Sequence, residues 1–125
     1  MALPKLDGAG IAKMEVLEEA TNTVQRMHGI VERMAVAVRS QQDTSTFGAQ
    51  LRRTGQPLVG LLRGQFGLIS DLVAALLLSS TRGGGEQNRL RTMREGVAQI
   101  RTQVDLAVAG VKARHTIEEP KAPAH

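Results

Sequence analysis

The sequence predicts an all-α fold: an elongated antiparallel, up-down-up three-helix bundle with coiled-coil-like heptad packing. Three observations point there. Apolar residues recur at alternating spacings of three and four in three separate stretches, and neither strand-type alternation nor glycine and proline at hairpin spacing interrupts them. The 125 residues include two Phe and neither Tyr nor Trp, so the core must be built from slender aliphatic side chains that suit closely packed helices. The length fits a single domain with one modest core.

Residues 1–8 contain Pro4 and Gly8 and read as a flexible N-terminus, with Asp7 placed to cap the first helix. That helix is expected over about 9–41. Its seam runs Leu17, Ala20, Val24, Met27, Val31, Met34, Val38, an a/d pattern that predicts left-handed packing against neighbours. Ile30 and Val36 lie beside the seam and widen it. Gly29 costs about 1 kcal/mol relative to Ala inside a helix, and marks a close contact or a weak point. The segment 40–46, SQQDTST, carries side chains that compete for backbone hydrogen bonds and cap helix starts, so a turn is expected there.

The second helix is expected over about 47–80. Its seam is Leu51, Gly55, Leu58, Leu62, Gln65, Ile69, Leu72, Leu76 and Ser79. Leu61, Phe66, Leu68, Val73, Leu77 and Leu78 fall off that seam and cover other faces. A helix apolar nearly all round is buried centrally or faces a second partner, so this one is expected at the centre, with those six residues as a protein interface. Pro57 lacks an N–H and disfavours helical geometry at Gln56, so the helix is either kinked there or begins there after a short helix over 47–55. Gly60, Gly64 and Gly67 are spaced for close helix packing. The Gly60/Gly64 pair also matches a membrane-dimerisation motif. However, Arg63 sits inside it, the apolar run from Gly64 to Leu78 is short of the roughly 20 residues a span needs, and Asp71 opposes insertion. Packing inside a bundle is therefore expected, and Arg63 and Asp71 read as a structural ion pair or a solvated edge.

Residues 81–86, TRGGGE, end this helix, and Glu86 suits the start of the next. The third helix, over 86–115, carries the seam Leu90, Met93, Val97, Ile100, Val104, Ala107 and Val111. Residues 116–125, with two Pro and no apolar period, read as a disordered tail.

No Cys is present, which excludes disulfides, thiolate chemistry and Cys-ligated zinc. The opening residues lack the apolar core of a signal peptide, so a cytoplasmic location is expected. No His or carboxylate pair recurs at metal-ligand spacing, and Glu15, Glu18 and Glu19 lack the Glu-x-x-His partner of a di-iron site. No nucleotide-binding fingerprint occurs. The reading is a non-enzymatic protein with no metal, cofactor or evident small-molecule substrate. His28 is the one histidine well inside a helix. Phosphotransfer domains follow their histidine with a basic and a small residue, whereas this chain reads His28-Gly29-Ile30-Val31, so a phosphotransfer module is a remote alternative.

A net charge of +4, carried mainly by Arg, permits an anionic partner. Folded up-down-up, Arg39, Arg52, Arg53, Lys112 and Arg114 would share a basic end, while Glu15, Glu18 and Glu19 would face Arg89, Arg91 and Arg94 at the other. The function expected first is a helical interaction or scaffold protein that self-associates, as a dimer, or docks another helical protein through its seams and the apolar second helix. The alternative is a peripheral binder of anionic membrane or nucleic acid through the basic end, although aromatic residues for base stacking are scarce.

Overall fold

A computed structural model describes residues 6–80 and 84–115, and over these the chain is all-helical. Four helices are present rather than three: α1 (Gly8–Arg39), α2 (Phe47–Arg63), α3 (Gly67–Ser79) and α4 (Glu86–His115). The expected boundaries of the first and last helices agree within two residues. The N-terminal residues 1–5, the segment 81–83 and the expected tail 116–125 lie outside the described residues.

The correction falls on the second helix. It breaks at Gly64–Phe66, and its two halves fold back on each other. A Cβ built on Gly48, in the first turn of α2, would lie 2.7 Å from the Ser80 carbonyl oxygen just beyond α3. The buried Ser70 hydroxyl of α3 donates to the Val59 carbonyl of α2 at 2.7 Å. Two glycines of poor helix propensity flank the break, each costing about 1 kcal/mol in a helix interior. The turn is closed by main-chain bonds from Phe66 N–H to the Leu62 carbonyl, 2.7 Å, and from Ser70 N–H to the Phe66 carbonyl, 3.0 Å. Pro57 neither divides α2 nor starts it, since the helix continues through it to Arg63.

The order is thus up-down-up-down. α1 packs against α2 and α4, and α3 packs against α2 and α4, closing a four-membered ring of neighbours. Two contacts fix the long pair as antiparallel. At one end the buried Thr44 hydroxyl donates to the Glu86 carboxylate. At the other, Asp7 N–H donates to the His115 carbonyl at 2.9 Å. By rise alone α1, with 32 residues, is about 48 Å long and α2, with 17, about 25 Å. The short hairpin therefore leaves about two turns of α1 and α4 projecting beyond it, since Leu61 near the end of α2 shares a cleft with Glu15 and Val16.

The seams of the two long helices are buried as their spacing predicts. Leu17, Ala20, Val24, Met27, Val31 and Met34 of α1 meet Leu90, Met93, Val97, Ile100, Val104 and Val111 of α4 in one core. Val38 and Ala107 are half-buried beside it. Leu51, Leu58 and Leu62 of α2 and Ile69, Val73, Leu76 and Leu77 of α3 complete that core.

The turn after α1 is a Schellman cap. Gln42 N–H donates to the Ala37 carbonyl at 2.8 Å and Gln41 N–H to the Val38 carbonyl at 3.2 Å, with Gln41 left-handed at φ 57°. Asp43 then accepts from the Ser45 N–H at 3.0 Å and hydroxyl at 2.9 Å. The backbone bond, helped by the hydroxyl, lowers the Asp43 pKa from its ordinary value. Before α4, Gly84 has φ 137°, a conformation open to glycine alone at little cost.

Candidate docking surfaces

The six residues expected to form an interface divide sharply. Val73 and Leu77 are core, consumed by the packing of α3 on its neighbours. Phe66 is half-buried at the α2–α3 turn, and Leu61, Leu68 and Leu78 are exposed. Leu68 stands out with 84% of its surface open.

Gly60, Gly64 and Gly67 do not mediate close packing: a Cβ built on any of them meets nothing within 4 Å. The close approaches occur at other glycines. Gly48 lies against Ser80, Gly55 against Leu77 and Met27, and Gly96 against Leu76. The GxxxG spacing misled because the pattern reports small residues on one face without reporting whether a helix covers that face.

The basic end is also reorganised. Arg39, Arg52 and Arg53 stay together near the 40–46 turn, but α4 runs opposite to the expected direction, so Lys112 and Arg114 lie at the far end beside Asp7. Arg89 and Arg91, at the start of α4, take their place. For the same reason Arg94 does not meet Glu15, Glu18 or Glu19; it pairs with Glu32 at 3.6 Å. Arg63 and Asp71 are exposed on different helices. His28 is exposed on α1.

Where α1 and α4 project past the short hairpin, a polar clasp joins them. Asp7 caps α1 by accepting from Gly10 N–H at 2.7 Å. The His115 ring, through Nδ1, donates to the same carboxylate at 3.1 and 3.2 Å, and Lys13 Nζ lies 3.2 Å from Nε2. The Gly10 N–H holds the Asp7 carboxyl below its usual pKa despite partial desolvation, with His115 and Lys13 acting in the same sense. A Cβ on Gly10 would come within 2.6 Å of His115 Cβ, so glycine there lets the two helix ends meet.

The grooves between neighbouring helices differ in charge. The α3–α4 groove, in two adjoining hollows of about 250 and 340 Å³, carries Glu95 as the one charged residue in its lining. Its apolar wall comprises Phe66, Leu68, Leu72, Ala75, Leu106 and Ala107. Leu106, 60% exposed, escaped the sequence reading because it sits beside seam residue Ala107 rather than on the seam. Its spacing from Gln99 and Gln103 traces a second, uncharged stripe on α4. The α1–α2 cleft contains Glu15, Glu19 and Arg26. The α1–α4 hollows contain Glu18, Asp105 and Arg101.

Among the described residues no three His, Asp or Glu side chains gather as a metal site, and no helix is long and apolar enough to cross a membrane. Comparison with family models, curated proteins and solved structures finds no match for this chain.

Proposed function

We propose that the protein is a non-enzymatic helical interaction module that self-associates through its α3–α4 face. The observation that carries this reading is the pairing of exposed Leu68 and Leu106 across a groove whose lining holds one charge. Interface centres are depleted in charge, and a large exposed apolar side chain costs hydration unless it is covered. The occupant is a second copy. The chain is basic overall, so two copies repel through their Arg-rich faces. The α3–α4 face lets them approach without like-charge contact, and a two-fold axis places each Leu68 near its own counterpart or the partner's Leu106.

The size of the face sets the strength. α3 has 13 residues and is about 20 Å long, and two adjacent helices are about 20 Å wide, so each copy covers on the order of 400 Å². The total, about 800 Å², falls below the range of stable specific interfaces and within that of transient ones, so the dimer forms weakly and depends on concentration. Light scattering from about 10 μM to 1 mM tests it. The mass should rise above the 13.4 kDa of one chain, and Leu68→Asp should hold it there with the melting temperature unchanged. A wild type that stays at the single-chain mass throughout rules the reading out.

A second reading rests on a separate observation: among the described residues Arg39, Arg52 and Arg53 make no ion pair, and they share an end with Arg89 and Arg91. Such an end suits a polyanion, namely nucleic acid or an anionic lipid surface. Binding that falls steeply with salt, and that Arg39→Ala/Arg52→Ala/Arg53→Ala removes, supports it; no binding at low salt sinks it.

A further inference from the structure

Three connections join the four helices, and two of them carry their own stop signals. The 40–46 turn has the Schellman bonds and left-handed Gln41, and the link before α4 has Gly84 at φ 137°. The α2–α3 connection has neither. Gln41 and Gly84 are the positive-φ residues among those described, and no side chain caps α3. Gly64 keeps helical angles, φ −72° and ψ −37°, whereas Phe66 leaves them, at φ −135° and ψ 55°. The bonds from Phe66 N–H to the Leu62 carbonyl and from Ser70 N–H to the Phe66 carbonyl both have the four-residue spacing of a continuous helix. The apolar seam also runs on through the turn, from Leu58 and Leu62 past Gln65 to Ile69, Leu72 and Leu76.

We propose that Phe66 is a hinge, and that the chain interconverts between this four-helix form and a minor form in which α2 and α3 are one helix over 47–79. The joined helix is about 50 Å long, against about 48 Å for α1. The α1–α2 and α3–α4 pairs keep their own turns and move as two bodies about Phe66. In the minor form α3 continues along the projecting start of α1 instead of folding back on α2, and α4 returns beside the joined helix, up-down-up. The contacts of Ser70 with Val59, Thr44 with Glu86 and Asp7 with His115 belong to the four-helix form alone. Those bonds, together with the burial of Val73 and Leu77 off the continuous seam, make the four-helix form the major one. Two packings of one sequence coexist when they differ by little free energy. The hinge does not depend on self-association, which changes the mass and leaves the distance between α2 and α3 alone.

Pulsed electron paramagnetic resonance on the full chain tests this. The chain has no Cys, so nitroxides can be placed at Arg52→Cys and Ala75→Cys, both exposed positions. In the hairpin these lie on facing arms, between the contacts of Gly48 with Ser80 and of Ser70 with Val59, within about 20 Å of each other. In one continuous helix the rise places them about 35 Å apart. Diluted with unlabelled chain, the otherwise native protein should show the short distance and a second one near that longer value. The share of the long distance should not rise between about 10 μM and 1 mM. Phe66→Ala, which favours helical geometry at the hinge, should raise that share at least twofold. Gly67→Pro should remove it, because proline fits the first turn of α3, where a Cβ meets open space, and breaks a joined helix. The native chain and Gly67→Pro suffice for the test should Phe66→Ala fail to fold. A single short distance in both the native chain and Phe66→Ala overturns the proposal. So does a long distance that survives Gly67→Pro, or one that grows with concentration, which would mean exchange of α3–α4 between copies.

Discussion

In the α1/α4 pair an aliphatic residue returns to the same seam from Leu17 to Met34 and from Leu90 to Val111, and those positions are buried except Ala107, which is half-buried. In the α2/α3 pair the apolar residues are denser and less ordered, and the chain reverses in the middle of them at Gly64–Phe66. A narrow stripe needs one neighbouring surface, which the antiparallel partner supplies. An all-round apolar run needs more neighbours than one straight helix finds in a three-helix bundle. The chain supplies one by folding the run onto itself, so that Val73 and Leu77 are buried within the monomer and Leu68 is left outside. An excess of apolar residues thus signals a hidden reversal as readily as a central helix.

The contrast between buried and leftover leucines on α3 should yield the largest effect. Leu77→Asp places a carboxylate in the core and should cost about 4 kcal/mol or more, abolishing the cooperative thermal transition. Leu68→Asp, nine residues earlier, should leave that transition intact and lower only the solution mass. Two similar melts would collapse the distinction.

The glycines sharpen the same contrast at a smaller scale. Gly48→Ala drives a methyl group against the main-chain carbonyl of Ser80 and should cost about 1–3 kcal/mol in urea unfolding. Gly60→Ala meets open space on α2 and should gain up to about 1 kcal/mol from helix propensity. A destabilising Gly60→Ala would mean that a neighbour covers that face after all.

The clasp at the projecting ends has a pH signature of its own. Asp7 has a lowered folded pKa, so its contribution is fully present above the ordinary carboxylate value and disappears as pH falls through the lower folded one. Wild type should therefore be more stable than Asp7→Ala at pH 6, and the two should converge as pH drops through 4 toward 2. Melting curves at several pH values check this, and a gap that persists at pH 2 would remove Asp7 ionisation as the cause. The smallest effect is expected at Gln41. Replacing this left-handed residue with glycine should raise stability by several tenths of a kcal/mol, and unchanged melting would show that Gln41 bears no strain there.

The candidate docking surfaces were legible only in part. Leu68 was visible as an off-seam leucine, but nothing in its spacing distinguished it from Leu77, which the fold buries. Leu106 was hidden by its adjacency to Ala107. The acidic group at Glu15 and Glu19 was visible, but its apolar companions Leu58 and Leu61 come from α2, across a cleft that no local pattern encodes.

From the sequence alone came the helical class, the seams of α1 and α4, the Asp7 cap, the 40–46 turn and the start of α4 at Glu86. Each depends on interactions within a few residues, and heptad spacing, side-chain capping and turn chemistry record them locally. The reversal at Gly64–Phe66, the direction of α4 and the separation of Arg39 from Lys112 and Arg114 belong to the tertiary structure. The four-three spacing from Leu51 to Ser79 passes through Gln65 unbroken whether the chain continues or turns back, because each half keeps its own stripe. The number of neighbours each stripe could find decided between those outcomes, and with them which residues ended up sharing a surface.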